Sequence, residues 1–123
     1  MTEKKLLDWL IDNFDSSIKA AEYKYSRFDA YSKDRDQFIE LKCRRTHYDT
    51  LIIEKSKFDN LTEDGSALYI CSTPEGIFSW EIDKDSEIEW IAKSMPKNTD
   101  FGNRARKDKI IGYLEIKKAD KLK

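Results

Sequence analysis

The sequence predicts an α/β fold of the α+β kind: a single domain with a central mixed β-sheet of about five strands flanked by helices. Three observations predict it. The N-terminal segment carries apolar residues at helical spacing, and several short β-branched and aromatic runs alternate with period two. A second helical segment then interrupts those runs in mid-chain. At 123 residues the chain supports one core and not two, so residues 1–123 read as one domain. Charged residues make up 38% and hydrophobic ones only 39%. Three Trp, six Tyr and six Phe offset that poverty, because each large ring buries much area.

Residues 3–21 read as an amphipathic helix. Leu7, Leu10, Ile11, Phe14 and Ile18 recur at three- and four-residue steps, making one apolar stripe. Thr2 stands where an N-cap belongs, although Lys5 takes the place a capping box gives to Glu. A hairpin follows, with strands at 27–31 and 37–44 around a polar turn at 32–36. The β-branched run 50–53 is a further strand, and 54–61 is helical with Phe58 and Leu61 inward. Strands 67–72 and 77–82 form a second hairpin through Thr73-Pro74-Glu75-Gly76, whose Pro and Gly suit a tight turn. Residues 88–92 read as a strand or one helical turn, and 96–106 as an exposed loop. A last strand covers 109–116, with Ile110, Leu114 and Ile116 on one face. Trp9, Trp80 and Trp90 fall on apolar faces and are expected in the core.

The net charge of −1 does not by itself mark a nucleic-acid binder. The distribution is uneven, however. From Lys97 to Lys123 bases outnumber the acids Asp100, Asp108, Glu115 and Asp120, whereas residues 81–89 are acidic. A basic tail of this kind can supply an electrostatic footprint for phosphates. Cys43 and Cys71 lack metal-ligand spacing, and no secretory signal precedes them. Reduced thiols in a cytoplasmic protein are expected. No apolar run approaches the length that crosses a bilayer.

Chemistry concentrates in Phe38-Ile39-Glu40-Leu41-Lys42-Cys43. Side chains alternate along a strand, so Glu40 and Lys42 share a face, roughly 6–7 Å apart. Ile39, Leu41 and Cys43 then face the core. Asp29 lies at the tip of the preceding strand. Two carboxylates and an ammonium at one sheet edge point to a metal-assisted hydrolytic site. The alternative is a surface ion pair between Glu40 and Lys42.

The order helix, strand with Asp29, turn, strand with Glu40-Leu41-Lys42, strand, helix resembles the core of the PD-(D/E)xK nuclease superfamily, and in particular its small phage-encoded members. The resemblance covers about residues 5–82, and a basic C-terminal extension at 97–123 falls outside it. No proline precedes Asp29, which follows Phe28. The resemblance implies a restriction-endonuclease-like core and a nuclease that hydrolyses phosphodiester bonds with Mg²⁺ (or Mn²⁺), most naturally a DNA endonuclease of phage origin. If phage-encoded, it would work in the host-cell cytoplasm. It further implies that Asp29, Glu40 and the backbone carbonyl of Leu41 hold the metal, with Lys42 acting on the attacking water or the phosphate. Glu22 is a weaker member, matched to a helix glutamate of the superfamily, and Asp12 and Asp15 compete for that place. Lys55 or Lys57 is matched to an auxiliary basic residue.

The expected nucleic-acid contacts are Arg44, Arg45 and His47 after the triplet, Lys55 and Lys57 at the helix start, and Arg104, Arg106 and Lys107 in the late loop. Each of these groups would equally suit a solvated face. A homodimer would give so short a chain enough surface to grip a duplex. The other reading is a non-catalytic module on the same fold, binding nucleic acid or a host protein.

Overall fold

The computed structural model describes residues 1–22, 27–96 and 106–123, without the side chains of residues 95, 96, 106 and 107. Helix α1 (Glu3–Asn13) leads into a meander of β1 (Ile18–Ala20), β2 (Ala30–Ser32) and β3 (Gln37–Cys43). Then come β4 (Thr50–Glu54), α2 (Lys55–Thr62), and the hairpin of β5 (Ala67–Thr73) and β6 (Gly76–Ile82). The chain closes with β7 (Ile91–Pro96), β8 (Arg106–Glu115), a 3-10 turn at Ile116–Lys118 and β9 (Asp120–Lys121). The architecture is mixed α+β, as expected, but the sheet is not one sheet of about five strands. Six strands pair in the order β1-β2-β3-β5-β6-β9, and three more form a separate antiparallel sheet, β4-β8-β7.

The six-stranded sheet is mixed for one reason. β1, β2 and β3 run antiparallel in turn, but β5 lies parallel to β3, with Glu40 opposite Tyr69 and Lys42 opposite Cys71. A parallel neighbour cannot be reached by a tight turn, so β4 and α2 make up the crossover. They therefore cover one face of the sheet. That face buries Phe58 and Leu61 of α2 and Leu51 and Ile53 of β4 against Tyr69, Cys71, Phe78 and Trp80. The indole Nε1 of Trp80 donates to the carbonyl of Glu115 at 2.9 Å, tying the two sheets together. The opposite face packs Ile39, Leu41, Leu68, Ile70 and Ile77 against Leu6 and Leu10 of α1. Of the other two tryptophans, Trp9 is partly buried on the α1 side and Trp90 on the α2 side.

α1 begins as expected, with the N–H of Lys5 donating to the Thr2 hydroxyl at 3.2 Å. It stops eight residues early. Asp15 accepts from both the N–H and the hydroxyl of Ser17, and such local bonds compete with helix continuation. Ile18, assigned to the helical stripe, is instead a buried β1 residue opposite Ser32. The first strand of the predicted hairpin also starts later, at Ala30.

Residues 88–90 are neither strand nor helix but lie across β8. A Cβ on Gly112 would come within 2.2 Å of Ile88 Cγ2 and 3.2 Å of the Trp90 ring, so only glycine fits there. Ile110 and Leu114 do not behave as one apolar face: Leu114 is buried and Ile110 exposed, while Ile111 is fully buried. The loop expected at 96–106 lies largely outside the described residues. Far from being a mere appendage, residues 106–123 supply the middle strand of the smaller sheet and an edge strand of the larger.

Candidate active site

β3 presents Phe38, Glu40 and Lys42 to the α2 side, and the ladder with β5 is extended by the Arg44 N–H donating to the Ser72 carbonyl at 2.8 Å. Pairing between β2 and β3 ends at Ala30 opposite Ile39. Beyond it the Asp29 N–H donates to the Ile39 carbonyl at 3.0 Å, and Asp29 Oδ2 accepts from the Leu41 N–H at 2.9 Å. A side chain thus takes over where the backbone ladder stops, and Asp29 is fixed to the middle residue of the Glu40-Leu41-Lys42 triplet. The N–H and carbonyl of one residue leave a strand on the same side, so the Leu41 carbonyl opens on the Asp29 edge.

Glu40 is the unusual residue. Its side chain is only 5% exposed, and its Oε1 faces Lys57 Nζ at 3.6 Å and Lys42 Nζ at 4.0 Å. Oε2 is buried with no hydrogen-bond partner. Burial, followed by the nearby Asp29 charge, pushes its carboxyl up to about 7, against the pull of Lys57 and Lys42. Both ammonium groups remain half open to solvent. Beside them on β5 the buried Tyr69 phenol is raised, first by burial and then by the charge of Glu40. Arg44 is half-buried, and its Nε has no partner.

Asp29, Glu40 and Lys42 therefore come together, and of the two helix lysines the structure brings in Lys57. Lys55 bonds Asp59 at 2.9 Å and lies over the Trp90 ring at 5.7 Å. Glu22 is not brought in. The expectation that it ends the first helix fails because that helix stops at Asn13, and Glu22 is exposed in the loop after β1. Nor can Asp12 or Asp15 replace it. α1 packs on the other face of the sheet, and Asp15 is engaged with Ser17, Ser32 and Arg35.

His47 is a loop contact, its Nδ1 2.9 Å from the Thr73 hydroxyl and its ring 5.4 Å from Phe78. Arg45 is exposed. Arg104 lies outside the described residues, as do the side chains of Arg106 and Lys107. Both cysteines are free, and burial raises both thiols.

Sequence reasoning had placed Tyr69 only in its hairpin. Its signal was available in the parallel alignment of two apolar runs, which sets Tyr69 beside Glu40, but nothing local to residue 69 reveals that pairing. Among the described residues no group of three or more His, Cys, Asp and Glu side chains converges, and no helix is long and apolar enough to cross a membrane. No protein-family model, curated protein or solved structure matches this chain.

Proposed function

We propose that this chain is a metal-dependent nuclease of the PD-(D/E)xK type, acting on DNA through the edge formed by Asp29, Glu40, Lys42 and Lys57. The observation that carries the reading is the buried, unpaired Glu40 Oε2. A buried carboxylate oxygen without a donor is costly, and a cation is the partner that would remove the cost. The residues fit a hard divalent ion: one carboxylate on β3 and one just before β2, with the Leu41 carbonyl on the Asp29 edge. Mg²⁺ commonly keeps several waters, so a pair of protein carboxylates suffices. When bound, such an ion acts as a Lewis acid on the phosphate and renders a water nucleophilic near neutral pH.

The chain's own residues divide the remaining work. Asp29, fixed by the Leu41 N–H, and the buried Glu40 would hold the metal. Lys42 is the half-exposed group that orients the attacking water or meets charge growing on the phosphate. Lys57, projecting from the first turn of α2, neutralises Glu40 and then the incoming phosphate. Arg44 and Arg45 extend the positive surface for the backbone of the nucleic acid. The succession of Asp29 just before β2, Glu40-Leu41-Lys42 on β3, and then β4 and α2 supports the reading, while β1 after α1 and the place of β4 in the smaller sheet depart from the order the resemblance implies.

Plasmid nicking in Mg²⁺ and in EDTA tests this. Wild type should nick only with the metal, and Glu40→Ala and Lys42→Ala should each lose at least about a hundredfold. Equal cleavage by the variants would sink the assignment. One observation favours a second reading, a non-catalytic module binding nucleic acid or a host protein: two lysines already neutralise Glu40 Oε1. A melting temperature unmoved by Mg²⁺ or Mn²⁺ but raised by a partner would decide for it.

A further inference from the structure

Next to the carboxylates along β3 lies a cleft of about 630 Å³ whose chemistry is the reverse of theirs. Its wall is aromatic. Phe28 and Phe38 stack with ring centroids 4.2 Å apart and planes within 6°, and Tyr31 leans on Phe38 at 5.9 Å. Among the described residues its rim carries the carboxylates Glu22, Asp36 and Asp64, with Lys19 as the one base of the lining and Arg27 beside Asp64 at 3.8 Å. Asp36 is held in place by the Tyr31 hydroxyl. Phe28 immediately precedes Asp29, and Phe38 stands one strand repeat from Glu40 on the same face. α2 covers both positions in step, with Leu61 lining the cleft and Lys57 on Glu40.

A phosphate is disfavoured beside the Glu22 and Asp36 carboxylates. A nucleobase is not: its faces stack on aromatic rings, and its exocyclic amino group donates to carboxylate oxygens, as Asp and Glu accept from cytosine N4. Lysines at one end and an aromatic, acceptor-rimmed cleft at the other match the polarity of a nucleotide, anionic at the phosphate and aromatic at the base. We propose that the Phe28–Phe38–Tyr31 cleft receives one unpaired nucleobase bearing an amino group, so that the substrate is a single strand or a duplex with a base turned out. This rests on the nuclease reading for the placing of the phosphate. A base still paired in a duplex cannot enter such a cleft.

Binding in EDTA separates recognition from cleavage. Short oligo-dC and oligo-dT strands and a duplex are titrated against wild type, with 2-aminopurine as a fluorescent reporter of stacking. Oligo-dC should bind more tightly than oligo-dT, and the reporter should be quenched in single strands and not in duplex. Phe28→Leu and Tyr31→Leu, shown folded by circular dichroism, should weaken single-strand binding roughly five- to a hundredfold. Asp36→Asn should remove the preference for dC. Unchanged binding by Phe28→Leu and Tyr31→Leu, or an unquenched reporter, overturns the cleft. Nicking by wild type is scored separately. Quenching without Mg²⁺-dependent cleavage leaves the cleft standing and removes the nuclease, whereas Glu40-dependent cleavage with binding indifferent to Phe28 and Tyr31 does the opposite.

Discussion

The two faces of the six-stranded sheet are built from the same strands, yet they differ in what they tolerate. Toward α1, Ile39, Leu41, Leu68 and Ile70 meet Leu6 and Leu10, and the buried polar residues of that face, such as Ser72 and Ser79, carry no charge. Toward α2, the alternate residues of the same strands include Glu40, Lys42, Tyr69 and Cys71, and a carboxylate is buried beside an aromatic ring. One face supplies stability and the other spends part of it on charge. Period-two alternation makes the division possible, since a strand can serve a closed core and a charged cluster in consecutive residues.

The comparison breaks most readily on the closed face. Ile39→Ala, at a fully buried site, should cost about 2–5 kcal/mol in chemical denaturation. Cleavage per folded molecule should stay near wild type. A large loss of specific activity in the folded fraction would show that the faces are not independent.

The open face should respond to pH instead. Burial pushes the Glu40 carboxyl up to about 7 in the folded chain, from an ordinary 4.5, so the folded chain binds the proton more tightly. Stability then falls as pH rises from about 4.5 through 7, and the cost is fully present above 7, on the order of 3 kcal/mol for this one group. Glu40→Gln in EDTA should therefore melt higher than wild type at pH 8, with the gap closing toward pH 5. A gap independent of pH would refute the buried charge. The smallest effect sharpens the site's edge. Lys57→Ala should slow cleavage about tenfold, while Lys55→Ala, its charge spent on Asp59, should leave it unchanged within error.

Much of the closed face was legible in the sequence, because Phe38 through Cys43 and the two arms of the β5–β6 hairpin carry clear period-two patterns. The pairing of Glu40 and Lys42 on one face followed from that period alone. The end of α1 was not legible: Ile18 happens to keep helical spacing, and the Asp15–Ser17 bonds that stop the helix outweigh it. The smaller sheet was illegible for another reason. β4 and β8 are some sixty residues apart, with Leu51 opposite Leu114, and no local signal links them. Gly112 hid the phase of β8 by replacing a side chain with the packing of Ile88 and Trp90. In the site, the choice between Lys55 and Lys57 depended on the phase of an eight-residue helix, which a boundary uncertain by one residue cannot fix.

The bond from the Leu41 N–H to Asp29 has a consequence for how the molecule is made. Asp29 and Leu41 are close in sequence, so a nascent β2–β3 hairpin can bring the two carboxylates together by short-range closure, early in folding. Lys57 and Tyr69 arrive only when the parallel β3–β5 pairing closes a much longer loop, the slower event. The acidic pair should thus assemble while still wet and be sealed last. Amide exchange at Leu41 should report the first stage and exchange at Ile70 the second.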